Sequence, residues 1–307
     1  MCDSKRRCNG SPFYSLQRSG MTVLELLVAI SIIGILAALL LPAIGMARES
    51  ARRVQCVNHL HQVGLALQNH HNAHRSLPMG WQFDSTKESA FGWAVPLLPY
   101  LDQGSLAGRI DEKRSVCDPV HGFARQTSLS VMLCPSDITE RTFTLYEDDE
   151  DDDDDEIRST MRIDVGLAEP IIDLPTANYV GVFGTLEPDD DIPAPIGDGA
   201  FLENQARRFR DFQRGLSNTI IVGERTMAQV PSTWLGVNMK GEDAAGRLVG
   251  STLEGINNPL ADECDFSSRH PGGANFLWAD GHVSFISAHV DLREYHRWAR
   301  LRDNVGH

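Results

Sequence analysis

The chain has 307 residues, enough for one large domain or two small ones, and its composition, 42% hydrophobic and 23% charged, is that of a globular protein with an anchor. A formal net charge of -14 argues against a nucleic-acid groove, because phosphates need a basic surface. Ten of the acids are consecutive, from Glu147 to Glu156, so the rest of the surface is far less acidic than the total suggests.

Residues 1–20 hold Lys5, Arg6, Arg7 and Arg18 against Asp3 and read as a cytoplasmic leader. From Met21 to Ile44 run 24 residues with a single charge, Glu25. As a helix this stretch is about 36 Å long, enough to cross a bilayer's hydrocarbon core. The leading cations predict a cytoplasmic N-terminus and an exported remainder, with Arg48, Arg52 and Arg53 competing from the far side. A cleaved secretory signal fits less well: the apolar run is too long, a carboxylate sits in its first turn, and helix-like sequence continues past Pro42. A bare carboxylate in lipid is costly, so Glu25 is expected to find a partner. The positive end of the helix dipole is the simpler explanation for its position.

The helix is expected to continue to Ser76, before Leu77-Pro78. Ala47, Ala51 and Val54 share one side, and Leu60, Val63 and Leu67 form a second apolar set rotated around the axis. His70 and His74 stand one turn apart beside His71, a spacing that can hold zinc, but the sequence places no third ligand and no metal centre is expected.

Residues 77–307 read as a globular head containing β-structure. Alternation predicts a half-buried strand through Leu129, Val131 and Leu133, with further strands over 178–184 and 218–224. Pro96 and Pro99 make the apolar segment around them a loop or an edge. The run 147–156 repels itself and is expected to be a disordered, solvated loop; it lacks the spaced ligands and turn glycine of a calcium site. Asp280-Gly281 predicts a two-residue type I′ hairpin that pairs Ala279 with His282 and Phe276 with Phe285. His270 and Asp280 are joined by no nucleophile or second base at a telling position, and neither a nucleophile elbow nor a phosphate loop is present, so no enzyme is expected.

Gly20, Met21, Thr22 and Glu25, in the stretch GMTVLE, resemble the prepilin signature of type IV pilins and of the pseudopilins of type II secretion. Pro42 lies where many pilins also carry a proline; Met21 departs mildly, since phenylalanine is commonest there. The resemblance implies cleavage after Gly20 by a prepilin peptidase and N-methylation of Met21. It also implies an assembly role for Glu25, which would pair with the freed amine of Met21 on a neighbouring subunit. A second resemblance spans nearly the whole chain. His270, nine intervening residues and Asp280-Gly281 look like the H-x(9)-D-G motif of a large bacterial pilin-like family of unknown function. Similar segments begin at Cys56, Leu97, Leu133, Asn178 and Ser217. Four exported cysteines allow three pairings; the resemblance favours a disulfide between Cys56 and Cys134, both in family-like segments, over pairings with Cys117 or Cys264.

The expected fold is therefore α+β and pilin-like: a long N-terminal helix over 21–76, transmembrane over 21–44, packed on a β-rich head. The expected function is structural, as a subunit of a pilus or secretion pseudopilus. The protein would be single-pass in the inner (cytoplasmic) membrane, with the head in the periplasm or at the cell surface. Its partners would be prepilin peptidase, membrane lipid and like subunits or other pilin-type proteins, with no cofactor and no nucleic acid. The alternative is a permanently membrane-anchored ligand-binding protein that does not polymerise.

Overall fold

The structure, a computed structural model, describes residues 21–137, 140–148, 169–189 and 194–302. Gly20 and most of the acidic run lie outside them. The fold is α+β: one long N-terminal apolar helix, α1 (Val23–His74), precedes a β-rich region. Two compact units are present, one ending at Arg48 and one beginning at Glu49.

In the first unit α1 starts on a capping box. The Glu25 amide donates to Thr22 Oγ1 at 3.3 Å, and the Glu25 carboxylate accepts from the Thr22 amide at 2.8 Å. Two otherwise orphaned donors of the first turn are thereby satisfied. The helix runs through Pro42 and is long and apolar enough to cross a membrane once. Its apolar side chains are exposed, from Val23 at 82% to Leu41 at 71%.

In the second unit the buried residues of α1 include Cys56, Leu60, Val63, Leu67 and His70, whose spacing of four, three, four and three makes one stripe. The helix stops at His74, two residues before the expected end. Arg75 takes the left-handed conformation (φ 64°), and its amide closes the last turn on His71.

Eleven strands among the described residues form three sheets. β1 (Trp81–Phe83), β2 (Ser89–Gly92) and β8 (Gly236–Asn238) make one, and β3 (Thr142–Tyr146), β4 (Pro170–Ala177) and β7 (Ser232–Thr233) another. The central sheet has the order β11-β10-β6-β5-β9, from β5 (Tyr179–Gly184), β6 (Ile220–Glu224), β9 (Val249–Ser251), β10 (Gly273–Trp278) and β11 (Val283–Ser287). Its pairs are antiparallel except β5 with β9. Side-chain alternation in β5 and β10 serves two cores. Tyr179, Phe183 and Leu277 join a cluster that includes Leu60, Val63 and Leu67 of α1. Val180, Val182, Phe276 and Trp278 join Tyr295 and Ala299 on the other face. Those two belong to the last helix, α4 (Leu292–Ala299), which follows two helical turns, α2 (Gly104–Ala107) and α3 (Gly122–Arg125).

Three local elements differ from the sequence-based picture. The Leu129–Leu133 strand is not formed; Ser130–Met132 is a 3-10 turn that buries Leu129 and Met132 three residues apart. The segment is held by Asn178, whose amide donates to the Met132 carbonyl at 2.8 Å and whose side-chain oxygen accepts from the Cys134 amide at 2.9 Å. The Pro96–Pro99 segment is a 3-10 helix, Val95–Leu101, that buries Val95, Leu97 and Leu98. The β10–β11 hairpin is one residue out of the expected register: Leu277 faces Val283 and Phe276 faces Ser284. A type I′ turn needs two left-handed residues, and only Gly281 (φ 98°) supplies that conformation here. The loop is therefore Ala279-Asp280-Gly281, closed by the Gly281 amide on Trp278 O and the Trp278 amide on His282 O, each 2.9 Å.

Candidate functional site

Two constellations carry the chemistry, one in each unit. In the first unit, Met21 is 66% exposed and Glu25 bonds to Thr22, through its amide and its hydroxyl at 2.9 Å. Among the described residues of the unit, nothing covers the apolar surface around it.

In the second unit four side chains meet in the interior. Cys56 comes from the buried stripe of α1, Cys134 from the segment anchored by Asn178, Glu224 from the end of β6 and His270 from the loop before β10. All four are buried, and one ligand-type atom from each lies within 4.8 Å of the others. The sulfurs of Cys56 and Cys134 face each other at 2.9 Å. His270 Nε2 lies 3.6 Å from Cys134 Sγ and 3.4 Å from Glu224 Oε1.

A surrounding set of bonds orients these groups. His270 Nδ1 lies 2.7 Å from Glu49 Oε1, on the same face of α1 two turns before Cys56. Glu49 also accepts from Ser136 Oγ at 3.0 Å and pairs with Arg52 at 2.5 Å. Both oxygens of Glu224 are held by Asn275 of β10, through its amide at 2.8 Å and its side-chain nitrogen at 2.9 Å.

The electrostatics follow from this packing. Burial opposes a charge on His270, but its contacts with Cys134, Glu224 and Glu49 outweigh that and raise its pKa to about 10. Burial also acts against the Glu49 carboxylate, and the bonds from His270, Arg52 and Ser136 prevail and hold its pKa down. The contact with Cys56, and then burial, push the Cys134 thiol well up. Cys134 is therefore a thiol and a poor nucleophile.

The expected Cys56–Cys134 disulfide is not formed. Both cysteines are free, although they are the pair brought together. Cys264 instead donates to Asp189 at 3.0 Å, and Cys117 accepts from Asn238 at 3.5 Å. His270 and Asp280 serve different places. His270 enters the buried cluster, whereas Asp280 works in the hairpin tip, accepting from the His282 amide at 3.0 Å. That tip docks on α1: Gln68 donates to Ala279 O at 2.9 Å, and His61 Nδ1 lies 3.2 Å from Gly281 O. The histidines near the end of α1 do not gather as ligands. His70 stacks on His74 with centroids 4.4 Å apart, and His71 stacks on Phe209 at 3.8 Å. Sequence reasoning gave neither Glu49 nor Glu224 a place in a functional site. One signal was available, since Cys56, Cys134, Glu224 and His270 each fall in a separate family-like segment.

Residues 45–293 match the model of a family described as "Protein of unknown function (DUF1559)". No curated protein and no solved structure matches the chain.

Proposed function

We propose, for a chain that belongs to the DUF1559 family of bacterial pilin-like proteins, a structural role in a prepilin-type assembly. One observation carries this: an exposed apolar helix whose only charge between residues 21 and 44 is a carboxylate at its start. Such a surface must be covered by lipid or by other helices. A carboxylate there is tolerated if a cation joins it. Prepilin peptidase would cut after Gly20, and the new amine of Met21 on a neighbouring copy would supply that cation before or after N-methylation. The helix would cross the inner membrane once with the leader in the cytoplasm. The exported head would then stand on a pilus or pseudopilus built by packed helices. No catalytic step belongs to this reading.

The capping box favours a second reading, because Glu25 is already satisfied inside its own chain. The protein would then be a permanent anchor whose head binds a ligand without polymerising. Glu25→Gln separates the two, since glutamine keeps the capping bonds but carries no charge. In the assembly reading both Glu25→Gln and Glu25→Leu lose surface fibres, and mass spectrometry finds N-methyl-Met21 at the wild-type terminus. Fibres undiminished in Glu25→Gln, or an intact Met1 on the mature protein, would overturn it.

A further inference from the structure

The buried cluster combines two thiols, an imidazole and a carboxylate, a donor set of the kind that holds zinc. Its edges have the right size. Bonds of about 2.0–2.3 Å in a tetrahedral zinc site place neighbouring nitrogen, oxygen and sulfur ligands roughly 3.3–3.8 Å apart. His270 Nε2 already stands 3.4 Å from Glu224 Oε1 and 3.6 Å from Cys134 Sγ. The sulfurs, 2.9 Å apart, need to open to about 3.8 Å, a small side-chain rotation.

The supporting bonds point the same way. With Nδ1–H donated to Glu49, Nε2 is the His270 nitrogen aimed at the cluster, where an ion would take the place of its proton. A carboxylate that fixes the tautomer of a histidine is the usual outer support of a zinc ligand. The carboxylate oxygen nearest Nε2, Glu224 Oε1 at 3.4 Å, is shared with the closer Asn275 side-chain nitrogen. A disulfide would use the two sulfurs and leave Nε2 as it is. A shallow cleft lined by Asn178, Thr226 and Ser268 lies beside Cys134 and Glu224.

We propose that Cys56, Cys134, Glu224 and His270 bind one zinc ion, which fastens α1 to three separate segments of the head. Binding replaces three protons, one from each thiol and one from the His270 imidazolium, which leave to solvent; His270 then binds as the neutral imidazole, and the two thiolates with the Glu224 carboxylate outweigh the dication by one charge. The site is structural, since all four tetrahedral positions come from the protein. It is independent of whether the protein polymerises.

The test uses the full chain purified in detergent under reducing conditions, with zinc counted by mass spectrometry and thiols by alkylation before and after chelation. The expected result is one zinc per chain and two thiols that alkylate only once the metal is stripped. Replacement by cobalt should give a thiolate-to-cobalt charge-transfer band. Cys134→Ala and His270→Ala should lose the ion. Glu49→Gln, which leaves all four ligands in place, should weaken zinc binding roughly 10–100-fold in chelator competition, the range for an outer-shell partner. Stripping wild type should lower its melting temperature, and added zinc should restore it, so the outcome does not depend on variants that fail to fold. Recovery of a Cys56–Cys134 cross-linked peptide from cells in place of bound metal would overturn the proposal. So would a reduced, folded chain that takes up no added zinc, or zinc retained in Cys134→Ala.

Discussion

Asp265 gives a pH dependence whose sign and size follow from the structure. The residue is 1% exposed and lies in the loop after Cys264, and its Oδ2 finds no hydrogen-bond partner among the described residues. Oδ1 accepts one bond, from the Glu254 amide at 3.2 Å. Burial, aided by the nearby charges of Glu254 and Asp262 and only partly countered by the Glu254 amide bond and Arg225, raises the carboxyl from its ordinary 3.8 to about 7. Between those two values the native state holds a proton that the unfolded chain has released. Stability therefore falls as pH rises through this window and levels off above it. The full difference corresponds to about 4 kcal/mol, as an upper figure, at 1.36 kcal/mol per pH unit. Asp265→Asn mimics the neutral acid and removes the titration. Urea midpoints measured for both proteins in detergent from pH 4 to above pH 7 should show the variant gaining on wild type across the window, with unchanged m-values. A parallel pair of curves would refute the reasoning, because it would mean that Asp265 ionises as easily in the fold as out of it.

Two further perturbations test the packing of the head. Leu60→Ala empties a fully buried position where α1 meets the central sheet and should cost about 2–5 kcal/mol in denaturant unfolding. Leu65→Ala, 63% exposed on the same helix, should stay within roughly 0.5 kcal/mol. Gly281→Val forces a branched side chain into φ 98° at the hairpin tip and should lower stability by about 1–2 kcal/mol or more, visible as a lower melting temperature. Gly281→Asn should be milder, because asparagine tolerates the left-handed region.

The features legible in the sequence are those written locally. A 24-residue apolar run with one acid defines the exposed first part of α1, and Leu60, Val63 and Leu67 mark the face that the head covers. The strands at 178–184 and 218–224 were readable because apolar runs bounded by glycines need no distant information. The 3-10 turn at Ser130–Met132 was not, because Leu129 fits a period of two with Val131 and Leu133 or a period of three with Met132 until Asn178 decides between them. The hairpin register likewise depended on a single backbone angle. Asp280-Gly281 is compatible with a two-residue or a three-residue loop, and the docking of Ala279 and Gly281 carbonyls on Gln68 and His61 accompanies the three-residue one.

The sequence by itself determined an apolar helix with a carboxylate at its start, since hydrophobicity and length are properties of consecutive residues. Tertiary structure alone decided that Glu49, Cys56, Cys134, Glu224 and His270 share one place. Their positions span more than two hundred residues, and no local period or spacing encodes that meeting. It arises because α1 lies on one face of the central sheet, where the end of β6, the loop before β10 and the turn anchored by Asn178 converge.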